Sequence, residues 1–423
     1  MNTPSSPSLA SCADEYDPHS MTVEQARSVI ARYLKPIAGT VRVPVRSTLN
    51  RVLAEDVLSP VDVPPHANSA MDGYAVRFGD LAASGDSPLA IAQTILAGAS
   101  AGHPLAAGQA ARIMTGAMLP AGADTVVMQE QVRREGEQAW IAEGQRRGQH
   151  VRLPGEDLAK GMPALRKGQK IRPAELGLLA SLGIGEVLVY RPLRVAFFST
   201  GDELVSIGQP LGPGQIYDSN RYTLYGMLTE LGFDCLDLGV VRDHPVALEN
   251  AFEEASRMAD VVITSGGVSV GDADFIKPLL ARLGETVFWK IAMKPGRPLA
   301  YGHLGNSHFF GLPGNPVAVM VTFYTFVRDA LLALSGVSPV AQPPRLRVRT
   351  TTPLKKAPGR TEFQRGVVSL GADGIWSVRS TGNQGSGILR SMSEANCFIV
   401  LPLESGPVQA GAEVEVQLFE GIL

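Results

Sequence analysis

The sequence predicts a multidomain α/β protein, and three observations support this prediction. Between residues 193 and 335, strands alternate with amphipathic helices, which is typical of a mostly parallel sheet covered by helices. Residues 61–143 are instead rich in Gly and Ala with short apolar runs, which fits a small β-rich domain. After Pro339, short strands without clear helices indicate a C-terminal β-domain. The 423 residues suffice for about two to four domains.

The elements can be predicted in chain order. A helix over residues 21–34 is expected to be capped by Thr22, and a second helix is expected over residues 174–182. The central strands are predicted at residues 194–200, 235–241, 260–265 and 287–293, with a hairpin-like pair at 299–304 and 308–312 and a long apolar helix over 316–334. The C-terminal strands are predicted at residues 345–350, 366–370, 375–378, 397–402 and 413–419.

Apolar residues on one face support the helices between the central strands. The predicted faces are Leu224, Tyr225, Leu228 and Leu231 in the first helix, Leu248, Ala251, Phe252 and Ala255 in the second, and Phe275, Leu279, Leu280 and Leu283 in the third.

The overall composition excludes several kinds of partner. The net charge of −3 provides no general attraction for nucleic acid or an anionic membrane. Three cysteines, Cys12, Cys235 and Cys397, lie far apart without a C-x-x-C pair, which argues against a thiolate zinc site or a disulfide framework. From the sequence we expect no apolar run long enough to span a bilayer, and residues 1–20 do not resemble a signal peptide. We therefore expect a cytoplasmic protein with a disordered tail over residues 1–20, and neither a nucleic-acid nor a membrane partner.

Charged residues and glycines follow each predicted strand of the central segment. In open parallel α/β sheets, ligands bind beyond the carboxyl ends of the strands, so these residues are expected at one edge. They are Gly201, Asp202 and Glu203; Arg242, Asp243 and His244; the glycine-rich loop over residues 265–274; residues 294–297; and Pro313, Gly314, Asn315 and Pro316. Five such loops at one edge predict a ligand site.

The glycine-rich loop, SGGVSVGDAD, has two interpretations. It is either a tight strand-to-helix connection in which glycine tolerates positive φ, or an anion site formed by backbone N–H groups and two hydroxyls. The residues concerned are Ser265, Gly266, Gly267, Ser269 and Gly271. The pattern is neither a dinucleotide fingerprint nor a P-loop, since no G-K-[ST] follows.

The carboxylates at the predicted strand ends also have two interpretations. Taken singly, Glu203, Asp243 and Asp274 would suit the first turns of helices, where the macrodipole favours acidic groups, and Asp272 is assigned only such a capping role. Taken together at one edge, the first three resemble a site for a hard cation. Oxygen ligands without cysteine or a histidine cluster favour Mg²⁺, which commonly bridges carboxylates and phosphates.

Two lysines near the fourth strand suggest anion binding. Lys290 and Lys294 are four positions apart, so a continuous strand would place both on one face. A buried strand tolerates such a pair only when an anion or carboxylates meet it; the alternative is an edge strand whose amines reach solvent. Arg297 adds a planar fork suited to an oxyanion.

Two segments outside the central domain contain further candidate residues. These are HANSAMDGYAV, with Asp72, and RIMTGAMLPAGADTVVMQE, with Thr115. By composition alone both could be turns, with Asp72 in an Asx-turn.

These motifs resemble those of the molybdopterin molybdenumtransferases, also called the MoeA or gephyrin E-domain type. NSAMDGYAV, MTGAMLPAGADTVV, STGDEL, VITSGGVSVGDADF, WKIAMKPGRP and GLPGNPVA occur in the family's order and spacing, and the resemblance extends from about residue 21 to the C-terminus. Arg297 stands where many members have lysine, which keeps the charge but changes the geometry.

The resemblance implies an elongated homodimer with four structural parts in each chain. An elongated linker domain would comprise residues 21–60 with 144–190. The small β-rich domain, residues 61–143, would lie between these two segments in the sequence. The α/β domain, similar to molybdopterin adenylyltransferase, would comprise residues 191–338, and a β-barrel-like domain residues 339–423.

The resemblance also implies the final step of molybdenum cofactor synthesis. Adenylylated molybdopterin would be hydrolysed in the presence of molybdate and Mg²⁺, which releases AMP and molybdenum cofactor. The family's functional positions fall on Asp72, Thr115, Asp157, Glu203, Asp243, Asp274, Lys290, Lys294, Pro313, Pro316 and Ser386. Asp72 and Thr115 would complete the site of the partner subunit, and the resemblance also suggests a contact with the molybdopterin adenylyltransferase.

Two other functions remain open from the sequence. A non-catalytic scaffold of the same fold would not need the clustered acidic and basic residues. A general nucleotide-dependent phosphotransferase would turn over ATP without a pterin, yet the sequence contains no nucleotide fingerprint.

Overall fold

The computed structural model describes residues 20–37, 39–267 and 276–419. The predicted tail therefore lies outside the described residues except for Ser20, as do Phe275 and Asp272. The helices are α1 Val23–Tyr33, α2 Pro173–Ser181, α3 Asn220–Glu230, α4 Pro245–Met258, α5 Ile276–Leu283, α6 Pro316–Thr322, α7 Arg328–Leu334 and α8 Arg390–Glu394.

The strands fall into three successive groups along the chain. The first group is β1 Thr40–Pro44, β2 Val57–Leu58, β3 Asn68–Ser69, β4 Gly73–Val76, β5 Ser87–Ile95, β6 Gln109–Ile113, β7 Thr125–Met128, β8 Val132–Glu135, β9 Gln138–Ile141, β10 Val151–Arg152, β11 Pro163–Leu165 and β12 Glu186–Tyr190. The second is β13 Arg194–Thr200, β14 Leu204–Val205, β15 Ile216–Tyr217, β16 Asp234–Val241, β17 Val261–Ser265, β18 Gly284–Lys290, β19 Met293–Lys294, β20 Pro298–Leu304 and β21 Ser307–Leu312. The third is β22 Arg345–Thr350, β23 Thr361–Leu370, β24 Trp376–Ser380, β25 Cys397–Leu401 and β26 Glu413–Leu418.

The central sheet has the strand order β16-β13-β17-β21-β20-β18. β16, β13, β17 and β21 pair in parallel, while β20 is antiparallel to both of its neighbours. β18 therefore runs in the same direction as the four parallel strands. The carboxyl ends of all five strands lie at one edge, as the α/β prediction requires.

Both faces of this sheet are buried against helices. Along β13, Val195 and Phe197 pack into a core that includes α1, α3 and α6, whereas Ala196 and Phe198 pack on the other side with α4. This explains why the strand is a continuous apolar run rather than an alternating one. The predicted apolar face of α4 is fully buried. The predicted face of α3 is wrong at Tyr225, which is 51% exposed, because Met227 packs inward instead.

The long apolar helix over residues 316–334 is continuous but changes geometry in its middle. α6 passes through a π-helical segment, Phe323–Val327, into α7. At 19 residues it is long and apolar enough to cross a membrane, so the expectation that no apolar run reaches this length is wrong. Its most apolar stretch is 78% buried inside the protein, as is usual for a core helix.

The strand predicted at residues 287–293 is shifted. β18 ends at Lys290, and the chain then leaves the central sheet, because Met293 and Lys294 form β19 against Thr361 and Glu362 of β23. Lys290 and Lys294 therefore do not share one face of a single strand. This part of the prediction fails because the pairing partner of β19 lies in another domain.

The two flanking β regions each have their own core. Between residues 73 and 141, six strands form a sheet in the order β7-β4-β6-β5-β9-β8, with an apolar cluster on each face. Near the C-terminus, β23, β24, β22, β26 and β25 close into a barrel, because β25 pairs back onto β23. β1 pairs with β12 and β2 with β11, around a small core that includes Leu53 and Leu179.

Candidate functional site at the carboxyl edge of the central sheet

The loops after β17 and β21 approach each other through their backbones. The N–H of Gly266 donates to the carbonyl of Leu312 at 3.2 Å, and Gly266 adopts a φ of +92°. A Cβ at Gly266 would lie 2.5 Å from the carbonyl oxygen of Thr200, so only glycine fits between β13 and β17. Gly267, with a φ of +67°, continues the turn. Gly266 therefore allows a close approach, and its N–H is already used within the protein.

Asn220, at the start of α3, joins these two loops, although sequence reasoning did not select it. Its Nδ2 donates to the hydroxyl of Ser265 and to the carbonyl of Gly314, both at 2.7 Å. Asn220 is 6% exposed. One side chain thus aligns the predicted substrate-binding residues of two strand ends. The sequence carries no signal for these contacts, because the partners lie 45 and 94 positions away.

Buried polar atoms without partners surround this junction. Among the described residues, the Oδ1 of Asn220 and the hydroxyls of Thr200 and Thr264 have no hydrogen-bond partner. Buried polar groups are nearly always satisfied, so such a group calls for an explanation. Three of them beside the strand ends are consistent with a polar ligand at this edge.

The predicted metal ligands are placed only in part. Glu203 and Asp243 are exposed and follow β13 and β16, and the N–H of Asp243 donates to Asp202 Oδ1 at 3.3 Å. Asp274, Ser269 and Gly271 lie outside the described residues. Within residues 20–37, 39–267 and 276–419, no group of three or more His, Cys, Asp or Glu side chains is arranged to hold a metal ion. The assignment of Glu203, Asp243 and Asp274 to Mg²⁺ stays a prediction.

The basic residues after β18 lie where the α/β domain meets the barrel. Lys290 and Arg297 are half-buried, and the N–H of Ile291 donates to the carbonyl of Arg297 at 2.7 Å. The Nζ of Lys294 is 3.6 Å from Glu362 Oε1, and the Glu362 side chain is only 7% exposed. Glu362 was absent from the predicted site because it belongs to β23.

A groove of about 700 Å³ extends from this position along the barrel. Lys294, Lys355, Gln364 and Gln384 contribute to its lining. These two amines and two amides place hydrogen-bond donors along a groove whose lining surface is otherwise largely apolar.

The barrel loop with Ser386 contacts the loop after β21. The carbonyl of Ser386 accepts a hydrogen bond from the N–H of Val317 at 3.1 Å, one residue beyond Pro316. This contact brings Ser386 close to the predicted residues Pro313, Gly314 and Asn315.

Arg365 supports the same barrel loop from inside. Its guanidinium donates to the hydroxyl of Ser391 and to the carbonyl of Gly385, both at 2.9 Å. The residue is 1% exposed, and this burial lowers the pKa of Arg365 to about 10. Sequence reasoning missed Arg365, because an arginine within a strand pattern is typical of a solvated face.

Asp72 and Thr115 meet outside the central domain. The Oδ1 of Asp72 accepts hydrogen bonds from the Thr115 N–H and hydroxyl, both at 2.7 Å. The hydrogen bonds from Thr115 lower the pKa of Asp72, and Arg112 adds to the effect. Asp157 is exposed, and its N–H donates to the carbonyl of Val63 at 3.0 Å. For the residues described, no hydrogen bond or ion pair connects this pair or Asp157 with the strand-end residues.

The fold and the site together define a class of protein. It is a multidomain α/β protein with a candidate ligand site at the carboxyl edge of a mostly parallel sheet, next to a closed barrel. Three family models match the chain: the MoeA N-terminal region (domain I and II) at residues 21–183, a probable molybdopterin binding domain at 196–333, and the MoeA C-terminal region (domain IV) at 347–419.

Similar proteins agree with these matches. A molybdopterin molybdenumtransferase from Haemophilus influenzae is 46% identical over 404 residues, covering 95% of this chain and 100% of the relative. One from a Nostoc species is 40% identical over 374 residues and covers 86% of each chain. A crystal structure of a molybdopterin biosynthesis MoeA protein from Pyrococcus horikoshii has a TM-score of 0.82 at 29% identity, covering 95% of this chain and 100% of that one. The chain belongs to the molybdopterin molybdenumtransferase family, and the resemblance drawn from its motifs is confirmed.

Proposed function

We propose that this protein inserts molybdenum into molybdopterin during molybdenum cofactor biosynthesis. Family membership supports a molybdenum-inserting transferase, and the proposed substrates are adenylylated molybdopterin and molybdate. Water would cleave the phosphoanhydride, so that the terminal phosphate stays on the pterin and AMP leaves. The observation that carries this proposal is the junction of the β13, β17 and β21 ends, where buried polar atoms of Thr200, Asn220 and Thr264 have no partner among the described residues. Nothing in this arrangement favours a non-catalytic scaffold.

The chain's own residues have distinct proposed roles at this edge. Lys290, Lys294 and Arg297 would bind molybdate or substrate phosphate through charge-assisted hydrogen bonds. Ser265 and the backbone of residues 313–316 would contact the pterin phosphate. Asn220 would fix these two loops relative to each other through its two 2.7 Å hydrogen bonds.

Mg²⁺ is proposed as the cofactor, because the donor set suits it. Glu203 and Asp243 offer exposed carboxylate oxygens, and Asp202 lies between them through its 3.3 Å contact with the Asp243 N–H. Hard oxygen donors without thiolate or imidazole favour Mg²⁺ over softer metals. Together with Asp274, these residues would hold the ion, which when bound would neutralise charge on the phosphoanhydride.

A homodimer with a composite site is the proposed assembly. Asp72 and Thr115 form a polar pair that is exposed in the single chain. The two hydrogen bonds from Thr115 fix the Asp72 carboxylate, which would orient a substrate bound to the α/β domain of a second copy. A contact with the molybdopterin adenylyltransferase and a cytoplasmic location belong to the same proposal.

The test is molybdate-dependent release of AMP from adenylylated molybdopterin by the purified full-length protein. We expect release that stops on treatment with EDTA and returns with Mg²⁺. Glu203→Gln should raise the Mg²⁺ concentration for half-maximal rate by about tenfold or more, since one charged ligand is lost. Glu254→Gln, an exposed carboxylate on α4, is the matched control and should leave this concentration unchanged.

Two results would contradict different parts of the proposal. An absence of AMP release at any molybdate concentration, with folded protein, would refute the reaction itself. Full AMP release in EDTA would support the reaction but contradict the assignment of Mg²⁺.

A further inference from the structure

A second, separate cleft lies between the linker region and the α/β domain. It has a volume of about 370 Å³, and its apolar floor is formed by Leu231, Leu332 and Val337. Leu231 follows the end of α3, and Leu332 lies near the end of α7. α3 and the continuous helix over residues 316–334 both begin at the carboxyl edge of the sheet and run back along it. The cleft is therefore at the opposite edge from the proposed molybdenum-insertion site.

Charge is distributed unevenly in this cleft. Arg166, Lys170, Arg172 and Arg328 line it, and its lining contains no aspartate or glutamate among the residues that the structure describes. We refer to these four residues and the space between them as the basic cleft. The concentration of positive charge is local, because the whole chain has a net charge of −3.

Three of the four cations have acidic neighbours outside the lining. Arg166 is 3.5 Å from Asp56, and Arg172 is 3.5 Å from Glu175. Arg328, whose side chain is 4% exposed, is 2.6 Å from Asp329.

Lys170 differs from these arginines. Its amine makes no hydrogen bond or ion pair with any residue that the structure describes, and the residue is half-buried. Burial lowers the pKa of Lys170, and the positive charges of Arg328 and Arg172 lower it further. A partly desolvated amine among like charges costs free energy unless an anion approaches it.

We propose that the basic cleft is an anion site for a phosphate monoester. The exposed planar fork of Arg172 suits phosphate oxygens, Lys170 adds a point charge between the two domains, and the buried Arg328 adds positive charge behind them. The apolar floor would contact the organic part of the ligand. This site goes beyond the proposed molybdenum insertion and does not depend on it.

Binding of phenyl phosphate to the full-length protein, measured by calorimetry, tests the site. Phenyl phosphate carries both features of the proposed ligand, while phenol lacks the charge and inorganic phosphate lacks the ring. We expect phenyl phosphate to bind more tightly than inorganic phosphate, and phenol to show no binding. Lys170→Met should weaken phenyl phosphate binding by about tenfold or more, as the loss of one charge-assisted contact predicts.

Two control variants separate this site from other anion sites. Lys167→Met removes a nearby exposed lysine that does not line the cleft, and it should bind phenyl phosphate as the wild type does. Lys294→Met removes a basic residue of the proposed molybdenum-insertion site and should also leave this binding intact. Loss of binding in Lys294→Met but not in Lys170→Met would refute the proposal.

Thermal unfolding provides a second measurement. Without anion, Lys170→Met should be at least as stable as the wild type, because it removes a disfavoured charge. With phenyl phosphate, only proteins that retain Lys170 should gain stability. If the wild-type protein binds no phenyl phosphate, the proposal is wrong. If the Lys170→Met variant then also forms a smaller oligomer than the wild type, the cleft is a subunit contact.

Discussion

Gly266 is a tightly constrained residue of the strand-end site. Its φ is +92°, and a Cβ added at this position would lie 2.5 Å from the Thr200 carbonyl oxygen, which leaves no room for a side chain. The neighbouring Gly314 is different, because a Cβ there would approach only the Gly266 Cα, at 3.9 Å. The two glycines lie in adjacent loops, but of the two only Gly266 lacks room for a side chain.

We predict that Gly266→Ala lowers the free energy of unfolding by at least about 1–3 kcal/mol, the usual cost of a strained backbone conformation. The contact with Thr200 would add to this loss. Gly314→Ala is the control and should lose much less. Denaturant unfolding measures both, and equal losses in the two variants would show that Gly266 is not constrained as described.

Asp72 shows how hydrogen bonds can fix a charged side chain without burial. Two hydrogen bonds from Thr115 keep its pKa below the usual value, so the carboxylate stays ionised at any physiological pH. The same bonds fix the direction of Oδ1.

At the level of elements, the start of α3 organises the carboxyl edge. Asp218, which is 1% exposed, accepts hydrogen bonds from the Ser199 hydroxyl at 3.0 Å and the Arg221 N–H at 3.2 Å. These bonds anchor α3 to β13, and Asn220 then reaches the loops after β17 and β21. Three strand ends are thus joined by the first turn of one helix.

We predict that Asn220→Leu lowers the free energy of unfolding by about 1–3 kcal/mol, because it leaves a buried carbonyl and a buried hydroxyl without their donor. Turnover should fall as well, since the loops of Ser265 and Gly314 lose their common anchor. Asn306→Leu, in an exposed turn, is the control. Wild-type stability and turnover in Asn220→Leu would rule out the anchoring role.

The hairpin of β20 and β21 carries a histidine pair at the opposite end of the sheet. His303 and His308 face each other in register, and their ring centroids are 4.4 Å apart. Burial lowers the pKa of His308 to about 4, and the nearby His303 contributes, while Asp260 opposes the shift. The Tyr301 hydroxyl is 3.3 Å from His308 Nδ1.

We predict that this pair makes the protein less stable in mild acid. The folded protein keeps His308 neutral down to about pH 4, whereas the unfolded chain takes up the proton near pH 6.5. The unfolded state therefore binds more protons in this window, and the free energy of unfolding falls as pH decreases through it. His308→Phe should flatten this dependence, while His103→Phe, an exposed control, should not. Parallel pH curves for wild type and His308→Phe would contradict this prediction.

For the whole molecule, the separation of the Asp72 pair from the strand-end cluster leads to a test of the proposed dimer. We predict that Asp72→Asn and Glu203→Gln, each of low activity alone at a limiting Mg²⁺ concentration, recover about a quarter of wild-type activity after mixing and subunit exchange. Half of the dimers would then be mixed, and each mixed dimer would have one intact composite site.

The control for this experiment is a mixture of Asp72→Asn with Thr115→Val. Both changes affect the same half of the composite site, so no recovery is expected. Molybdate-dependent AMP release is the measurement. If the first mixture recovers nothing although subunit exchange is verified by mass spectrometry, each site is formed within one chain.

The sequence alone determined the order of strands and helices in the central domain and the placement of the strands' carboxyl ends at one edge of the sheet. β13, β17 and α4 appear where their apolar patterns predict them, because a short apolar run and an apolar helix face are both local properties of the chain. The same patterns failed after β18, where the chain changes partner at Ile291.

Only the tertiary structure decided which residues meet. Asn220 reaches Ser265 and Gly314 across 45 and 94 positions, and Asp72 meets Thr115 across 43. Lys294 approaches Glu362 because β19 pairs with a strand of the barrel. Neither periodicity nor composition contains this information. Such contacts depend on how separate elements pack together, and packing is a property of the folded chain as a whole.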